Sequence, residues 1–205
     1  KSSVCIEMIY TEYLFLERIR KSAEAGFDAI EFWNWDDKDL PAIKAAVEKH
    51  GLAIASFQSN LGGTLIHPDH RQSFVAGIQK SLGKAQELGS SGLFLLTDEL
   101  GEDRSVRFQF PELSEEAKYQ SVLDGFKVIA PLAEEARVTL VLEPLNIHVD
   151  HPGYFLDGSA AGFDLVRAVD SPRIKLLYDI YHMQIMEGDL IRTIRDNIEW
   201  IGHFH

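Results

Sequence analysis

Short apolar runs rich in branched residues alternate along this chain with longer stretches in which apolar residues recur every three or four positions. A short branched run marks a strand, whereas a period near 3.6 marks a helix with one buried stripe. The pattern predicts strands over residues 4–9, 29–33, 53–57, 93–97, 139–145, 174–180 and 201–205. Between them, residues 13–25 place Leu16, Ile19 and Ala23 on one helical face. Residues 190–200 do the same with Leu190, Ile191, Ile194 and Ile198. Gly26, Gly51 and Gly89 each follow a helical stretch and precede a strand, which suits the left-handed position past a helix end. Asp39 before Leu40-Pro41 and Asp189 before Leu190 read as helix N-caps.

Strands alternating with helices imply a parallel α/β sheet covered by helices. No Gly-rich phosphate loop follows the first strand, which favours a (β/α)8, or TIM, barrel over a doubly wound sheet. A complete barrel of that kind takes about 250 residues. The 205 residues therefore predict a single domain over 1–205 whose C-terminal last one to two βα units are missing from this chain. Two connections are long, 59–69 with Asn60, Gly62, Gly63 and His67, and 98–114 with Asp98, Glu99, Asp103 and Arg104. The second reads as a lid, a dimer contact or a solvated surface loop.

Composition narrows the class. A formal charge of −12 and a pI near 5.0 disfavour a sequence-independent grip on nucleic acid, which needs a basic surface. A small-molecule substrate or a protein partner fits better. Cys5 stands alone, so no internal disulfide forms, and no apolar run approaches the roughly 20 residues that span a bilayer. No membrane association and a reducing, cytoplasmic setting are expected. No charged-then-apolar leader precedes Val4, and Lys1 in place of Met is consistent with a residue or two lost ahead of it. Cys5 lies in an apolar pattern and reads as core rather than as a reactive thiol.

Three residues carry the candidate chemistry. Glu143, Asp179 and His205 occupy equivalent places at the carboxyl ends of three successive predicted strands, the barrel face where such folds keep their sites. A carboxylate in an otherwise apolar strand is costly unless it is paired or binds a cation. Each acid alone is equally a structural salt bridge, but the repetition points to a divalent metal. Oxygen and nitrogen ligands without thiolate suit Mg2+ or Mn2+ first, with Co2+ or Zn2+ as alternatives. His182 is either a surface imidazole or a hydrogen-bond donor to a substrate oxygen. His203 is either support for the site or core. His151 and Tyr154, in the loop after Glu143, are candidates for the substrate cavity, as is Trp33 at the end of the second strand; simple packing explains Trp33 and Trp35 equally. Glu7, Glu31 and Gln58 are polar strand-end positions with weaker claims.

The segments Leu142-Glu143-Pro144-Leu145-Asn146, His151-Pro152-Gly153-Tyr154-Phe155, Leu176 through Leu190, and Ile201-Gly202-His203-Phe204-His205 resemble the hydroxypyruvate isomerases and their relatives in the xylose isomerase-like barrel superfamily. The likeness runs over essentially the whole chain. It implies a metal held by a glutamate, an aspartate, a glutamine or histidine, and a second glutamate. The first three map to Glu143, Asp179 and His205, and the fourth is expected beyond residue 205. By the same resemblance His182 corresponds to a histidine that binds a substrate oxygen.

The resemblance implies a metal-dependent isomerase interconverting hydroxypyruvate, or a similar short 2-oxo acid, and tartronate semialdehyde through a cis-enediolate, with Glu143 and the glutamate expected beyond residue 205 as catalytic acid and base on opposite sides of the plane. A ketose 3-epimerase or other sugar isomerase is the alternative within the same chemistry. Different classes are a non-catalytic or truncated sugar-binding barrel and a DNA-repair endonuclease, the latter opposed by the acidic charge. A homo-oligomer is compatible with the resemblance.

Overall fold

The computed structural model describes residues 1–59 and 62–205. Asn60, part of the long loop read from the sequence, lies outside the described residues. Among the described residues seven strands are present: β1 (Ser3–Cys5), β2 (Ala29–Phe32), β3 (Ala53–Phe57), β4 (Gly92–Leu95), β5 (Thr139–Leu142), β6 (Ile174–Tyr178) and β7 (Ile201–Phe204). They alternate with α1 (Phe15–Glu24), α2 (Leu40–His50), α3 (Arg71–Leu88), α4 (Glu115–Ala136), α5 (Ser159–Val169), α6 (Ile180–Met186) and α7 (Leu190–Asn197). Every strand pair is parallel, in the orders β1-β2-β3 and β4-β5-β6-β7. A parallel bridge between Gln58 and Phe94 joins the two groups, so the strands follow chain order round one sheet. Among the described residues β1 pairs only with β2, and β7 only with β6.

The alternation of side chains separates two apolar layers. Leu93 and Leu95, Leu140 and Leu142, and Leu176 and Tyr178 join the large core shared with the helices. Phe94, Val141 and Leu177, one position out of phase, form a small cluster of their own on the opposite, inner face. Glu31 sits between Ile30 and Phe32, both in the large core, and so belongs to that inner face.

Two irregularities re-aim residues there. On β3 the register passes from Ile30–Ile54 to Glu31–Ser56, leaving Ala55 as an extra residue. On β7 it passes from Leu176–Ile201 to Leu177–His203, leaving Gly202 extra. A bulge of this kind kinks the strand and turns the following side chain. Gly202 also has no room for a side chain, because an added Cβ would lie 2.7 Å from Lys175 Cβ and 2.8 Å from Val141 Cγ1.

Several predicted strands are longer than those observed. Residues 139–145 stop pairing at Leu142 and 174–180 at Tyr178, so Glu143, Asp179 and His205 are each the first residue past a strand. The second stop has a visible cause: Asp179 Oδ1 accepts from His182 N–H at 2.9 Å and caps α6, a helix the hydrophobic pattern did not announce. Asp39 caps α2 through Ala42 N–H at 3.0 Å, as expected. Asp189 does not cap α7; its backbone is left-handed and its carboxylate pairs with Arg192. Gly26, Gly51 and Gly89 take positive φ values of 86°, 70° and 70° past their helices. The loop over 98–114 folds back through an antiparallel bridge between Leu100 and Val106, and Glu99 ties it to Gly63 N–H of the other long loop. No helix among the described residues is long and apolar enough to cross a membrane.

Candidate functional site

Glu143 and Asp179 are both buried at the mouth formed by the strand ends. Glu143 is fixed through its backbone: its N–H donates to Leu95 O at 3.1 Å, and its carbonyl accepts from Tyr154 OH at 3.0 Å. Its carboxylate is left facing His205, with Oε1 3.5 Å from Nδ1. Asp179 commits Oδ1 to the helix cap, while Oδ2 lies 3.7 Å from His182 Nε2. Glu143, Asp179 and His182 each offer a ligand atom within 4.8 Å of the others. No lysine or arginine pairs with either carboxylate among the described residues. Two buried carboxylates so close together, with only the imidazole of His205 against Glu143, repel each other and are poorly solvated, a situation a divalent cation relieves. The structure gathers His182 rather than His205 with the two acids; His205 gathers with Glu31 and His203 and meets the pair through Glu143 alone. Oxygen with imidazole nitrogen and no thiolate is a donor chemistry that fits such an ion.

Behind His205 lies Glu31. Its Oε1 accepts from Ser3 Oγ and His203 Nε2, the latter at 3.0 Å, and its Oε2 accepts from Ser56 Oγ at 2.7 Å and His205 Nε2 at 3.0 Å. With its proton on Nε2 and directed at Glu31, His205 turns Nδ1 toward Glu143. An outer carboxylate sets the orientation and basicity of a histidine in this way. Burial pushes the Glu31 carboxyl up, but the hydrogen bonds from His203 and His205 outweigh it and hold the group far below the usual carboxylate range. Burial pushes the His205 imidazole down, but the hydrogen bonds to Glu143 and Glu31 outweigh that and raise it to about 10. A proton and a cation compete for the same Nδ1 lone pair, so ion binding there releases a proton. Phe94 of the inner cluster flanks the ring edge-on, with centroids 6.2 Å apart.

The remaining residues singled out in the sequence separate. His182 is buried and faces the site, so it is not a surface imidazole. His151 lies beside it, with ring centroids 5.5 Å apart, and burial pushes its imidazole below the usual value. Tyr154 is buried with its hydroxyl spent on the main chain, accepting from Thr97 N–H at 2.9 Å and donating to the Glu143 carbonyl. That corrects its reading as a cavity wall: it anchors the backbone beneath Glu143. Trp33 is 41% exposed at the rim of β2, while Trp35 packs inward and donates to Ser81 Oγ at 2.9 Å. Glu7 pairs with Lys38 at 2.9 Å, away from the acids. Burial pushes the Cys5 thiol up to about 11, which leaves it protonated and inert. Two residues matter more here than the sequence suggested. Glu31 had only the signal of an acid inside an apolar strand, and Asn146, which meets His182 Nδ1 through its main-chain N–H and its amide, had none beyond its place three residues after Glu143.

The sequence model of the family described as xylose isomerase-like TIM barrel matches residues 19–205. The chain belongs to this family. Within reach of the same likeness, it is 27% identical over 208 residues to the hydroxypyruvate isomerase of Escherichia coli (strain K12), an alignment covering 98% of this chain and 77% of that protein. It is also 27% identical over 206 residues to a 2-oxo-tetronate isomerase of Cupriavidus necator, covering 97% and 75%. Among solved structures, one described as an AP endonuclease, family 2, from Brucella melitensis superposes with a TM-score of 0.87 at 27% identity, covering 98% of this chain and 77% of that one. Family membership explains why seven parallel strands run in chain order with their ligand-type side chains gathered at one end.

Proposed function

We propose that this chain is part of a divalent-metal-dependent isomerase acting on hydroxypyruvate or a similar short 2-oxo acid. The observation that carries the reading is the pair of buried carboxylates, Glu143 and Asp179, gathered with His182 and without a lysine or arginine partner among the described residues, with His205 Nδ1 3.5 Å from Glu143. The named likeness to isomerases of hydroxypyruvate and 2-oxo-tetronate supports the substrate class. The acidic charge of −12 speaks against a DNA substrate, and a small molecule in the cytoplasm belongs to the same reading.

Glu143, Asp179 and His205 would hold the ion, Mg2+ or Mn2+ by their ligand chemistry, which would lower the cost of negative charge developing on the substrate oxygens. The chain's own groups do the rest. Glu143 moves the proton: one C3–H bond of hydroxypyruvate breaks to give the cis-enediolate, a C–H bond forms at C2, and the hydroxyl proton passes from the C3 oxygen to the C2 oxygen, giving tartronate semialdehyde. His182 donates from Nε2 to the oxygen on which charge develops. Tyr154 keeps the Glu143 backbone in place. An eighth strand between β1 and β7, carrying a second carboxylate on the opposite side of the substrate, completes the proposal. Its support is the outer edges of β1 and β7, which are unpaired among the described residues, and the exposed apolar side chains Leu16 of α1 and Ile191 of α7.

The test is solvent exchange. Full-length protein with Mg2+ or Mn2+ is incubated in D2O with hydroxypyruvate and with a panel of ketoses, and deuterium is followed by NMR. Incorporation into hydroxypyruvate, abolished by Glu143→Gln, is expected. Exchange confined to the larger ketoses sinks this substrate assignment in favour of a ketose epimerase.

A further inference from the structure

His151 and His182 stand side by side, and the groups behind them protonate different nitrogens. Behind His182 is Asn146. One of its amide atoms receives Val149 N–H at 3.0 Å and Asp150 N–H at 3.1 Å, and since backbone N–H groups only donate, that atom is the oxygen. The amide nitrogen therefore points the other way, to Asp150 Oδ2 at 2.8 Å and to His182 Nδ1 at 2.7 Å. The Asn146 main-chain N–H reaches the same Nδ1 at 3.1 Å. An imidazole nitrogen facing two donors carries its lone pair, so the proton of the neutral ring sits on Nε2.

Behind His151 the arrangement is reversed. Its Nδ1 lies 3.0 Å from the carbonyl of Arg104, and a carbonyl only accepts. Nδ1 is therefore protonated, and in the neutral ring Nε2 carries the lone pair. Arg104 holds that carbonyl from a left-handed backbone, φ 66°, uncommon outside glycine. A tight turn keeps it there, with Gly101 N–H on Ser105 O at 2.8 Å and Arg104 N–H on Gly101 O at 3.0 Å. Backbone held in a sparsely populated region persists where its surroundings fix it, commonly at ligand sites.

We infer that Asn146 and the Arg104 carbonyl are positioning groups that lock His182 and His151 as opposite tautomers, a donor beside an acceptor, for a ligand bearing a carbonyl next to a hydroxyl. His182 Nε2–H meets the carbonyl oxygen, which only accepts. His151 Nε2 accepts a hydrogen bond from the neighbouring hydroxyl. A 2-oxo acid without that hydroxyl, such as pyruvate, satisfies His182 and leaves His151 unmatched. The identity of the ligand rests on the isomerase reading, whereas the two tautomers rest on the hydrogen bonds alone.

Full-length protein labelled with 15N-histidine and supplied with Mg2+ provides the test, because 15N resonances report which ring nitrogen is protonated. The expected result is His182 protonated on Nε2 and His151 on Nδ1. Asn146→Asp keeps the oxygen that accepts from Val149 and Asp150 but places a carboxylate oxygen at His182 Nδ1. It should move the His182 proton to Nδ1, leave His151 unchanged, and lower kcat on the order of 10²-fold with a far smaller change in KM. Hydroxypyruvate should perturb both Nε2 resonances, and pyruvate that of His182 alone. Either histidine in the other tautomer, or equal responses to the two acids, overturns the inference; these readings on the unaltered protein decide it even if Asn146→Asp does not fold. Correct tautomers without turnover of hydroxypyruvate would count against the isomerase reading instead.

Discussion

Glu31 Oε2 and His205 Nε2 lie 174 residues apart in sequence and 3.0 Å apart across the inner face of the sheet. The bond sets which nitrogen of His205 is left for Glu143, and it exists because two bulges turn Ser56 and His203 onto the same carboxylate.

Replacing Glu31 should therefore weaken ion binding without touching a ligand. Glu31→Gln keeps the size but removes the charge that two imidazoles and two serines share. Loss of such an outer partner lowers metal affinity by about 10–100-fold. Calorimetric titration of the variant with Mn2+ checks this, and an unchanged affinity would show that His205 needs no such support.

The bulge at Gly202 makes a second prediction. A methyl group there meets a strand neighbour's Cβ at 2.7 Å, an atom tied to the backbone rather than the yielding tip of a side chain. Gly202→Ala should cost about 1–3 kcal/mol and displace His203 and His205 together. Gly83→Ala in α3 is the control, since nothing lies within 4 Å of the added carbon and a helical alanine gains up to about 1 kcal/mol over glycine. Denaturant melts of the two variants should move in opposite directions.

These relationships mark where the sequence stops being informative. The seven apolar runs located every strand, because a strand buried on one face by helices must be apolar there whatever lies at its end. Glu143, Asp179 and His205 were visible for the related reason that each breaks such a run at its boundary. Glu31 breaks a run as well, but its partners come from β1, β3 and β7, and nothing local announces them. The helix Ile180–Met186 was hidden because Ile180, Tyr181 and Ile185 have the composition of a strand, and only the cap from Asp179 turns the chain. Asn146 resembles any loop asparagine until His182 is seen against it.

Asp98 should give the protein a distinctive pH dependence. Burial raises its carboxyl to about 6 from 3.8: the group is fully enclosed, and among the described residues Oδ1 has no hydrogen-bond partner. The folded state therefore holds a proton that the unfolded state releases at lower pH. Below about 4 both states are protonated and Asp98 imposes no penalty; stability then falls as pH rises through about 6, by roughly 2–3 kcal/mol in all. The difference in unfolding free energy between the wild type and Asp98→Asn should drift by that amount between pH 4 and 7 and be flat above. Whatever constant offset the amide introduces does not affect the drift, and a difference independent of pH would mean that Asp98 ionises normally.

Asp179 serves two purposes with two oxygens, and substitutions can separate them. Asp179→Asn retains an oxygen able to accept from His182 N–H, so α6 keeps its cap and stability should change by no more than about 0.5 kcal/mol. It loses the charge on the atom that faces His182 Nε2 and the cation position, so Mn2+ affinity should collapse. Asp179→Ala loses the charge and the cap together, and should be less stable than Asp179→Asn by about 1 kcal/mol. Relief of repulsion with Glu143 acts in both variants and cancels in that comparison. Thermal unfolding and Mn2+ titration of the pair therefore read the two roles independently. Equal stabilities with unequal ion affinities would place the cap elsewhere; unequal stabilities with wild-type ion affinity in Asp179→Asn would remove Asp179 from the metal site.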